Sequence, residues 1–341
     1  MSEAGGLKAG KLPPEMLARL LSKIESDDPR VLLGPGVGED AALIDFGETV
    51  LIAKSDPITF ATDLIGWYAV QVNANDIAAC GGDPRWFLAT ALLPVGSPPS
   101  AVEMIFEQIH EACQALGVTM VGGHTEMTLG LPRPIVCGTM LGEVAKGAQI
   151  TTGGARPGDR LILTKGIAIE GASILAREAA GQLRAAGVAQ ETIDTAAGYL
   201  FSPGISVVPD ARAARSVGGV TAMHDPTEGG LAGALAELAV ASGAGLRVDA
   251  DAVRVLPEAS AVCDALGADP WGLIASGALL IAARPDAAGA VIAAVEAAGI
   301  SAAEIGEVRP AAEGLTRRAG GSVAPLPTFE RDEVARVLES L

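Results

Sequence analysis

The sequence has 341 residues, 49% hydrophobic and 19% charged, so the chain can bury a large core and is not a disordered tail or linker. Its 41 acidic residues against 24 basic ones give a formal net charge of −17, and no Lys/Arg cluster is present to neutralise a phosphate backbone. The composition therefore argues against nucleic acid as a partner. An anionic ligand has to be held by metal ions, backbone amides or a few cations.

The sequence shows neither a secretion signal nor a membrane span. Residues 1–12 lack an apolar core of signal-peptide length, and prolines interrupt the uncharged stretch 86–102. No cysteine pair has CxxC spacing, which is typical of reduced thiols in a cytoplasmic protein. We expect the cysteines to be buried and structural; they are Cys80, Cys113, Cys137 and Cys263.

The first half is predicted to mix helices and strands. Apolar spacing predicts helices over residues 12–24 and 67–79 and a third from residue 100, with strands at 41–45, 50–53, 86–93 and 118–121. The second strand is expected to end at the polar turn 54–57. Ser100 and Glu103 are expected to form a capping box for the third helix, and the last strand to run into a loop at Gly122-Gly123-His124.

A turn signal at residues 155–159 is the candidate domain boundary, which gives an N-terminal domain 1–155 and a C-terminal domain 156–341. The second half is predicted to contain strands at 160–164, 219–223 and 277–283, and helices at 171–186, at 286–298, after residue 225 and from residue 330. No GxGxxG fingerprint follows a strand. A pair of α+β domains therefore fits better than a Rossmann fold.

Two glycine or acidic segments of the first half are candidates for ligand binding. In the first, Gly36 and Gly38 let a ligand approach the backbone, and Glu39 and Asp40 offer carboxylates that can hold a divalent cation over a phosphate. The alternative interpretation of this segment is a surface turn before a strand. In the second, Asp56 follows a strand, where rigid scaffolds often present functional loops, although a turn-forming Asp is also expected there.

The segment Asn73-Ala74-Asn75-Asp76 lies within an otherwise apolar predicted helix. Asn and Asp are poor helix formers, and a buried carboxylate is costly unless a cation or hydrogen-bond donors compensate it. We therefore expect a ligand or metal role for Asp76.

Two further segments combine glycine with polar groups. Gly122-Gly123-His124-Thr125-Glu126 follows a strand, and its polar groups are candidates to converge on phosphate or metal. The alternative is a structural role for His124, which is more common for an isolated His. In the segment 224–231, a helix start accounts for Asp225 as N-cap, Pro226 at N1 and Glu228 at N3. A helix start does not account for the pair Gly229-Gly230, because glycine lowers the stability of a helix. These glycines expose backbone amides at the helix N-terminus, where an anion can bind.

These segments together suggest one cleft in which Mg²⁺ ions bridge a polyphosphate to carboxylates. Magnesium prefers oxygen ligands and commonly joins one or two carboxylates to substrate phosphates. An acidic chain without a Walker A sequence can bind ATP in this way.

In order, the motifs resemble a family of ATP-dependent enzymes that includes aminoimidazole ribonucleotide synthetase, selenophosphate synthetase, thiamine monophosphate kinase and the hydrogenase maturation protein HypE. Residues 36–42 resemble the family's glycine-rich GDDAA loop, residues 55–56 its strand-end Asp, and residues 72–77 its Asn-Asp helix. Residues 122–125 resemble its GGD or GGE loop, and residues 224–231 are close to the HypE form of the second-domain helix. The resemblance spans about residues 30 to 310.

The resemblance implies a two-domain α+β subunit of the PurM-like type, whose N-terminal domains pair in a homodimer and share a β-barrel. It implies ATP and Mg²⁺ as cofactors, with Asp40, Asp56 and Asp76 as metal ligands and Asp76, His124 and His224 as candidate catalytic residues. The ATP-binding residues it implies are Gly36, Gly38, Asp40, Asp56, Asn75, Asp76, Gly122, Gly123, Thr125, Gly229 and Gly230.

Three positions depart from the family pattern. HypE ends in a cysteine that carries the carbamoyl group to be dehydrated, whereas this sequence ends Glu339-Ser340-Leu341. His124 stands where the family usually has an acid, and imidazole suits magnesium poorly. Glu126 stands where HypE commonly has a basic residue. No reactive Cys occurs before residue 34, which argues against selenophosphate synthesis.

The resemblance favours a HypE-like enzyme that phosphorylates an amide-type or other acceptor, either a small molecule or a group on a partner protein, with dehydration as an optional second step. One alternative is a small-molecule kinase like thiamine monophosphate kinase. A second is a non-catalytic maturation scaffold, and a third is that the glycines and acids form ordinary turns.

Overall fold

The computed structural model describes residues 10–24, 27–59 and 63–340, and contains two mixed sheets. After the short helix α1 (Pro14–Leu21), the first sheet has the strand order β1-β2-β3-β6-β4-β5, and its neighbours are antiparallel except for β4 and β5. The strands are β1 (Val31–Leu33), β2 (Ala42–Asp45), β3 (Thr49–Ile58), β4 (Asp83–Pro94), β5 (Thr119–Thr128) and β6 (Ile135–Ala145).

Two helices pack on the first sheet, α2 (Ile65–Ala79) and α3 (Pro99–Leu116). Burial alternates along β4 because successive side chains point to opposite faces, so that Phe87 and Ala89 face the core. Helix α2 is buried along nearly its whole length, between this sheet and helices of both halves. Its polar residues therefore need partners inside the protein.

The second sheet has the strand order β13-β12-β9-β11-β7-β10-β8. Its strands are β7 (Arg160–Thr164), β8 (Val220–His224), β9 (Gly245–Asp249), β10 (Leu280–Ala283), β11 (Ala302–Arg309), β12 (Leu315–Ala319) and β13 (Ser322–Pro325). Eight helices accompany it among the described residues: α4 (Ile169–Glu178), α5 (Ala180–Ala185), α6 (Gln190–Ala197), α7 (Val208–Arg215), α8 (Gly230–Ser242), α9 (Pro257–Leu266), α10 (Ala288–Ala297) and α11 (Glu333–Glu339).

One hydrophobic core runs through both halves of the chain. It joins α2 and the first sheet to α4, α6 and α7, and a smaller core lies between α8 and the second sheet. The α+β prediction is confirmed, whereas the division between residues 155 and 156 stays a prediction. Of the helices that the structure describes, none is long and apolar enough to cross a membrane.

Two predicted loops are strands. The expected turn at residues 54–57 is wrong, because β3 continues to Ile58 and pairs with β6 along its whole length. The loop expected at Gly122-Gly123-His124 is also wrong, because these residues belong to β5 and pair with β4. In both places a long neighbouring strand forms hydrogen bonds with the backbone N–H and C=O groups of these residues. This pairing outweighs the local preference for a turn or loop.

The predicted helix caps are also wrong. Helix α3 begins after Pro98 without a side-chain cap, so Ser100 and Glu103 form no capping box. Helix α8 begins at Gly230 with Gly229 as N-cap, and Asp225 lies before the helix. The helix expected over 171–186 is two helices that meet at Ala179.

Candidate functional site

Lys54 and two aspartates form the first part of the site. The Lys54 Nζ lies 3.3 Å from Asp56 Oδ2 and 3.0 Å from Asp76 Oδ1. Lys54 and Asp56 share one face of β3 because alternate residues of a strand point the same way, and α2, which carries Asp76, packs on this strand. The ammonium group is thus a built-in counter-ion between two carboxylates from different elements.

Burial and neighbouring charges both shift the pKa values of Asp76 and Lys54. Burial raises the pKa of Asp76, the charges of Asp56 and Asp40 raise it further, and Lys54 opposes the increase. Burial lowers the pKa of Lys54, but the neighbouring aspartates outweigh it and hold that pKa above its usual range. Asp76 Oδ2 is buried and has no hydrogen-bond partner in the structure. One oxygen therefore remains available to a cation.

Asp40 and His224 form the second part of the site. Asp40 Oδ2 accepts a hydrogen bond from Thr152 Oγ1 at 3.1 Å, and its Oδ1 lies 2.6 Å from His224 Nδ1. On the other side of the ring, Nε2 lies 3.0 Å from Glu237 Oε2. Burial lowers the pKa of His224, but Asp40 and Glu237 outweigh it and hold that pKa well above 6.5. The ring is thus an imidazolium between two carboxylates.

The position of Asp40 depends on Gly38. A Cβ at residue 38 would lie 2.7 Å from the carbonyl oxygen of Glu237, and its φ of +83° is unfavourable for other residues. The glycine-rich segment therefore serves to let the chain approach α8. This contact places Asp40 beside the histidine that ends β8.

Asp225 completes the site, directly after β8. It is 1% exposed, and neither carboxylate oxygen has a hydrogen-bond partner. Burial raises its pKa well above the usual range, and the charges of Asp76 and Asp40 raise it further. One ligand atom from each of Asp40, His224 and Asp225 lies within 4.8 Å of the others, a group that can hold a metal ion.

Contacts with residues distant in sequence fix the start of α8. The Gly229 amide donates a 2.8 Å hydrogen bond to Asp332 Oδ2, so this amide already has an acidic partner. Gly230 is needed because a Cβ there would lie 2.4 Å from the Trp271 carbonyl oxygen. Lys11 lies across the same region, with its Nζ 3.2 Å from Glu237 Oε1.

The structure brings together Asp40, Asp56, Asp76 and His224 of the predicted site residues. It places Gly122, Gly123, His124 and Thr125 on strand β5, where His124 is exposed and its Nε2 lies 3.4 Å from Glu126 Oε2. The amide of Asn75 ties the two halves of the chain: its Nδ2 donates to Ile205 O and its Oδ1 accepts from Val207 N, both at 2.8 Å.

Sequence reasoning missed four residues of the site. Lys54 was assigned to a turn and Asp225 to a cap, whereas Thr152 and Glu237 were not considered. Glu237 had a signal, because it is the single charged residue of the apolar helix α8, the same kind of signal that identified Asp76. Thr152 had none, since its role follows from a contact with Asp40 at a sequence separation of 112 residues.

The completed site carries more acidic than basic groups. Its carboxylates come from Asp40, Asp56, Asp76, Asp225 and Glu237, and its cations from Lys11, Lys54 and His224. A polyphosphate would be repelled by this set unless divalent cations accompany it. The oxygen-rich donors fit such cations.

Comparisons with known proteins identify related sequences and folds. Residues 38–144 match the family model "AIR synthase related protein, N-terminal domain", and residues 156–316 match its C-terminal domain. The carbamoyl dehydratase HypE of Rhizobium leguminosarum bv. viciae is 32% identical over 256 residues, covering 74% of this chain and 70% of that protein.

Solved structures show the same fold. The hydrogenase maturation protein HypE in complex with ATP matches with a TM-score of 0.68 at 24% identity, over 91% of this chain and 92% of that one. AaThiL complexed with AMPPCP and TMP matches with a TM-score of 0.71 at 19% identity, over 93% of this chain and 94% of that one.

Proposed function

Because the chain belongs to the AIR synthase related protein family, we propose that it is an ATP-dependent enzyme related to HypE. It binds ATP with Mg²⁺ and transfers the terminal phosphate to an oxygen of an acceptor, which is an amide-type group or another small acceptor. When the acceptor is a primary amide, phosphate leaves with the former amide oxygen and the nitrogen loses its two protons to solvent, so that a nitrile remains. The four free cysteines agree with a cytoplasmic location.

The observation that carries this proposal is the convergence of Asp40, Asp56 and Asp76 on one site, in which Asp40 and Asp76 are buried. When bound, magnesium supplies positive charge that neutralises the transferring phosphate. In the protein, Lys54 holds Asp56 and Asp76 in place, and Thr152 fixes the rotamer of Asp40. The site residues are thus oriented before the nucleotide binds, which lowers the entropic cost of binding.

Isothermal calorimetry tests ATP binding. We expect the wild-type protein to bind ATP in the presence of Mg²⁺, and Asp76→Asn to bind at least about tenfold more weakly because a buried ligand charge is lost. Asp264→Asn, an exposed aspartate on α9, is the matched control and is expected to bind like the wild type. Equal binding by Asp76→Asn, or none by the wild type, would refute the proposal.

A kinase like thiamine monophosphate kinase is a second candidate, favoured by the fold similarity to AaThiL with bound AMPPCP and TMP. Product analysis separates the two chemistries. A phosphorylated acceptor that accumulates indicates a kinase, whereas ADP, phosphate and a dehydrated amide indicate the HypE type. A non-catalytic scaffold, the third candidate, would bind ATP without turnover when partner proteins are present.

We further propose that the N-terminal domains pair in a homodimer and share a β-barrel. Support comes from β5, an edge strand that exposes Met120, Val121 and Met127 next to Leu129, which is 85% exposed. An exposed apolar edge strand is a template for pairing with another chain. Light scattering is expected to give a dimer for the wild type and a monomer for Val121→Lys/Met127→Lys. A wild-type monomer would contradict this part of the proposal.

A further inference from the structure

A groove of about 560 Å³ lies between the two halves of the chain. One wall is the segment 147–150, which follows β6, and the other is formed by the end of α7 and by residues 218–220 at the start of β8. The acidic site lies at the opposite end of β8, at His224, about 13 Å away along the strand. The volume is typical of pockets for small organic molecules. The groove is therefore separate from the site proposed for ATP.

Two arginines of α7 line this groove, in a chain whose net charge is −17. Arg212 Nε and Arg215 Nη2 each donate a 2.8 Å hydrogen bond to the same oxygen, Asp83 Oδ1. Arg215 Nη1 also donates to Gly81 O at 2.7 Å. Two guanidinium groups thus share one carboxylate, and one positive charge is in excess. The excess charge favours an anion in the groove.

The groove also offers hydrogen-bond donors that the protein does not use. Within the described part of the chain, Arg212 donates to Asp83 through Nε alone, so both of its Nη groups can donate to a ligand. A third guanidinium group lies at the same end of the groove, because a Cβ on Gly219 would lie 3.5 Å from Arg284 Nη2. A phosphate group has three outer oxygens and about 1.5 to 2 negative charges near pH 7, so it can use more of these donors than a carboxylate.

We propose that this groove binds a small organic phosphate ester, with the phosphate on Arg212 and Arg215 and the organic part against Ile150 and Val220. The planar guanidinium group matches the geometry of phosphate oxygens, and Asp83 holds two such groups in place before the ligand binds. Ile150 and Val220 give the groove an apolar surface for the organic part. The inference goes beyond the proposed function and does not depend on it.

The test is isothermal calorimetry of the full-length protein with phenyl phosphate, in the absence of ATP and Mg²⁺. Without Mg²⁺ the acidic site repels phosphate, so the heat reports the groove. We expect one phenyl phosphate per chain with a dissociation constant below about 1 mM. Benzoate, which carries a carboxylate on the same ring, and inorganic phosphate, which lacks the ring, should each bind at least about fivefold more weakly.

Each of these probes can overturn part of the proposal. If the wild type does not bind phenyl phosphate, the arginines serve only to tie the two halves together through Asp83. Benzoate that binds as tightly as phenyl phosphate would contradict the assignment to phosphate. Inorganic phosphate that binds as tightly would make the groove a site for free phosphate and would refute the ester.

A variant locates the ligand. Arg212→Gln removes a half-exposed guanidinium group, while Arg215 keeps its bond to Asp83, so we expect the variant to fold. It should bind phenyl phosphate at least about tenfold more weakly. Arg133→Gln, at an exposed arginine between β5 and β6, loses the same charge and is expected to bind like the wild type. Full affinity in Arg212→Gln, or an equal loss in Arg133→Gln, would overturn the assignment.

Discussion

Replacement of Glu170 by Gln is expected to change how stability depends on pH. Glu170 lies in the first turn of α4 and is fully buried, and its Oε2 has no hydrogen-bond partner. Burial raises the pKa of Glu170 from 4.5 to about 7, and the charges of Asp332 and Glu228 add to the increase. The folded protein therefore prefers the neutral carboxyl group, which glutamine imitates.

The sign and size of the effect follow from proton linkage. Because the folded pKa is higher than the unfolded one, the contribution of Glu170 is fully present below pH 4.5 and is lost as the pH rises to about 7. One pKa unit corresponds to about 1.4 kcal/mol, so the wild type loses about 3 kcal/mol of unfolding free energy over this range through Glu170. Glu170→Gln does not undergo this loss. The advantage of the variant over the wild type should therefore grow by about 3 kcal/mol between pH 4.5 and pH 8.

Urea unfolding followed by circular dichroism, at several pH values between 4.5 and 8, measures this difference. Other buried acids titrate in both proteins and cancel in the comparison. Glu191→Gln, an exposed glutamate on α6, is the control and should differ from the wild type by the same amount at every pH. Parallel stability curves for Glu170→Gln and the wild type would refute the reasoning, because Glu170 would then titrate as it does in the unfolded chain.

Two glycine substitutions test the packing, and a single and a double variant at Lys54 and Asp76 test the charge balance, each by urea unfolding. Gly138→Ala should lower the unfolding free energy by about 2 kcal/mol or more, because its Cβ would lie 2.4 Å from Asn73 Nδ2. Gly289→Ala on α10 has nothing within 4 Å of the new Cβ and should raise it by about 0.5–1 kcal/mol; equal effects at the two glycines would contradict the packing. Lys54→Met should cost about 3 kcal/mol at pH 8 by leaving Asp76 without its counter-ion, and adding Asp76→Asn should restore most of that loss. No recovery in the double variant would show that the pair is not coupled.

The sequence predicted most elements because hydrophobic periodicity is a local property. The strand at 160–164 and the helix that ends at residue 79 occur in the structure as expected. The predicted ends of elements were wrong where a contact with a residue distant in sequence outweighed the local sequence signal. At α8, Asp225 and Pro226 fit an N-terminal cap, but the approach of the Trp271 carbonyl and the positive φ of Gly230 move the helix start to residue 230.

By itself, the sequence determined the α+β class, the acidic character of the ligand site and the unusual position of Asp76 in an apolar helix. Each of these depends on residue type and local spacing. The tertiary structure alone decided which charges meet: Asp40 and His224 are 184 residues apart, yet Nδ1 and Oδ1 lie 2.6 Å from each other. Only the tertiary structure shows that Lys54 is the counter-ion of Asp76 and that the Asn75 side chain hydrogen-bonds the backbone of the second half of the chain. A pattern along the chain specifies which groups are buried, but their partners are set by the packing of distant elements, which no local spacing records.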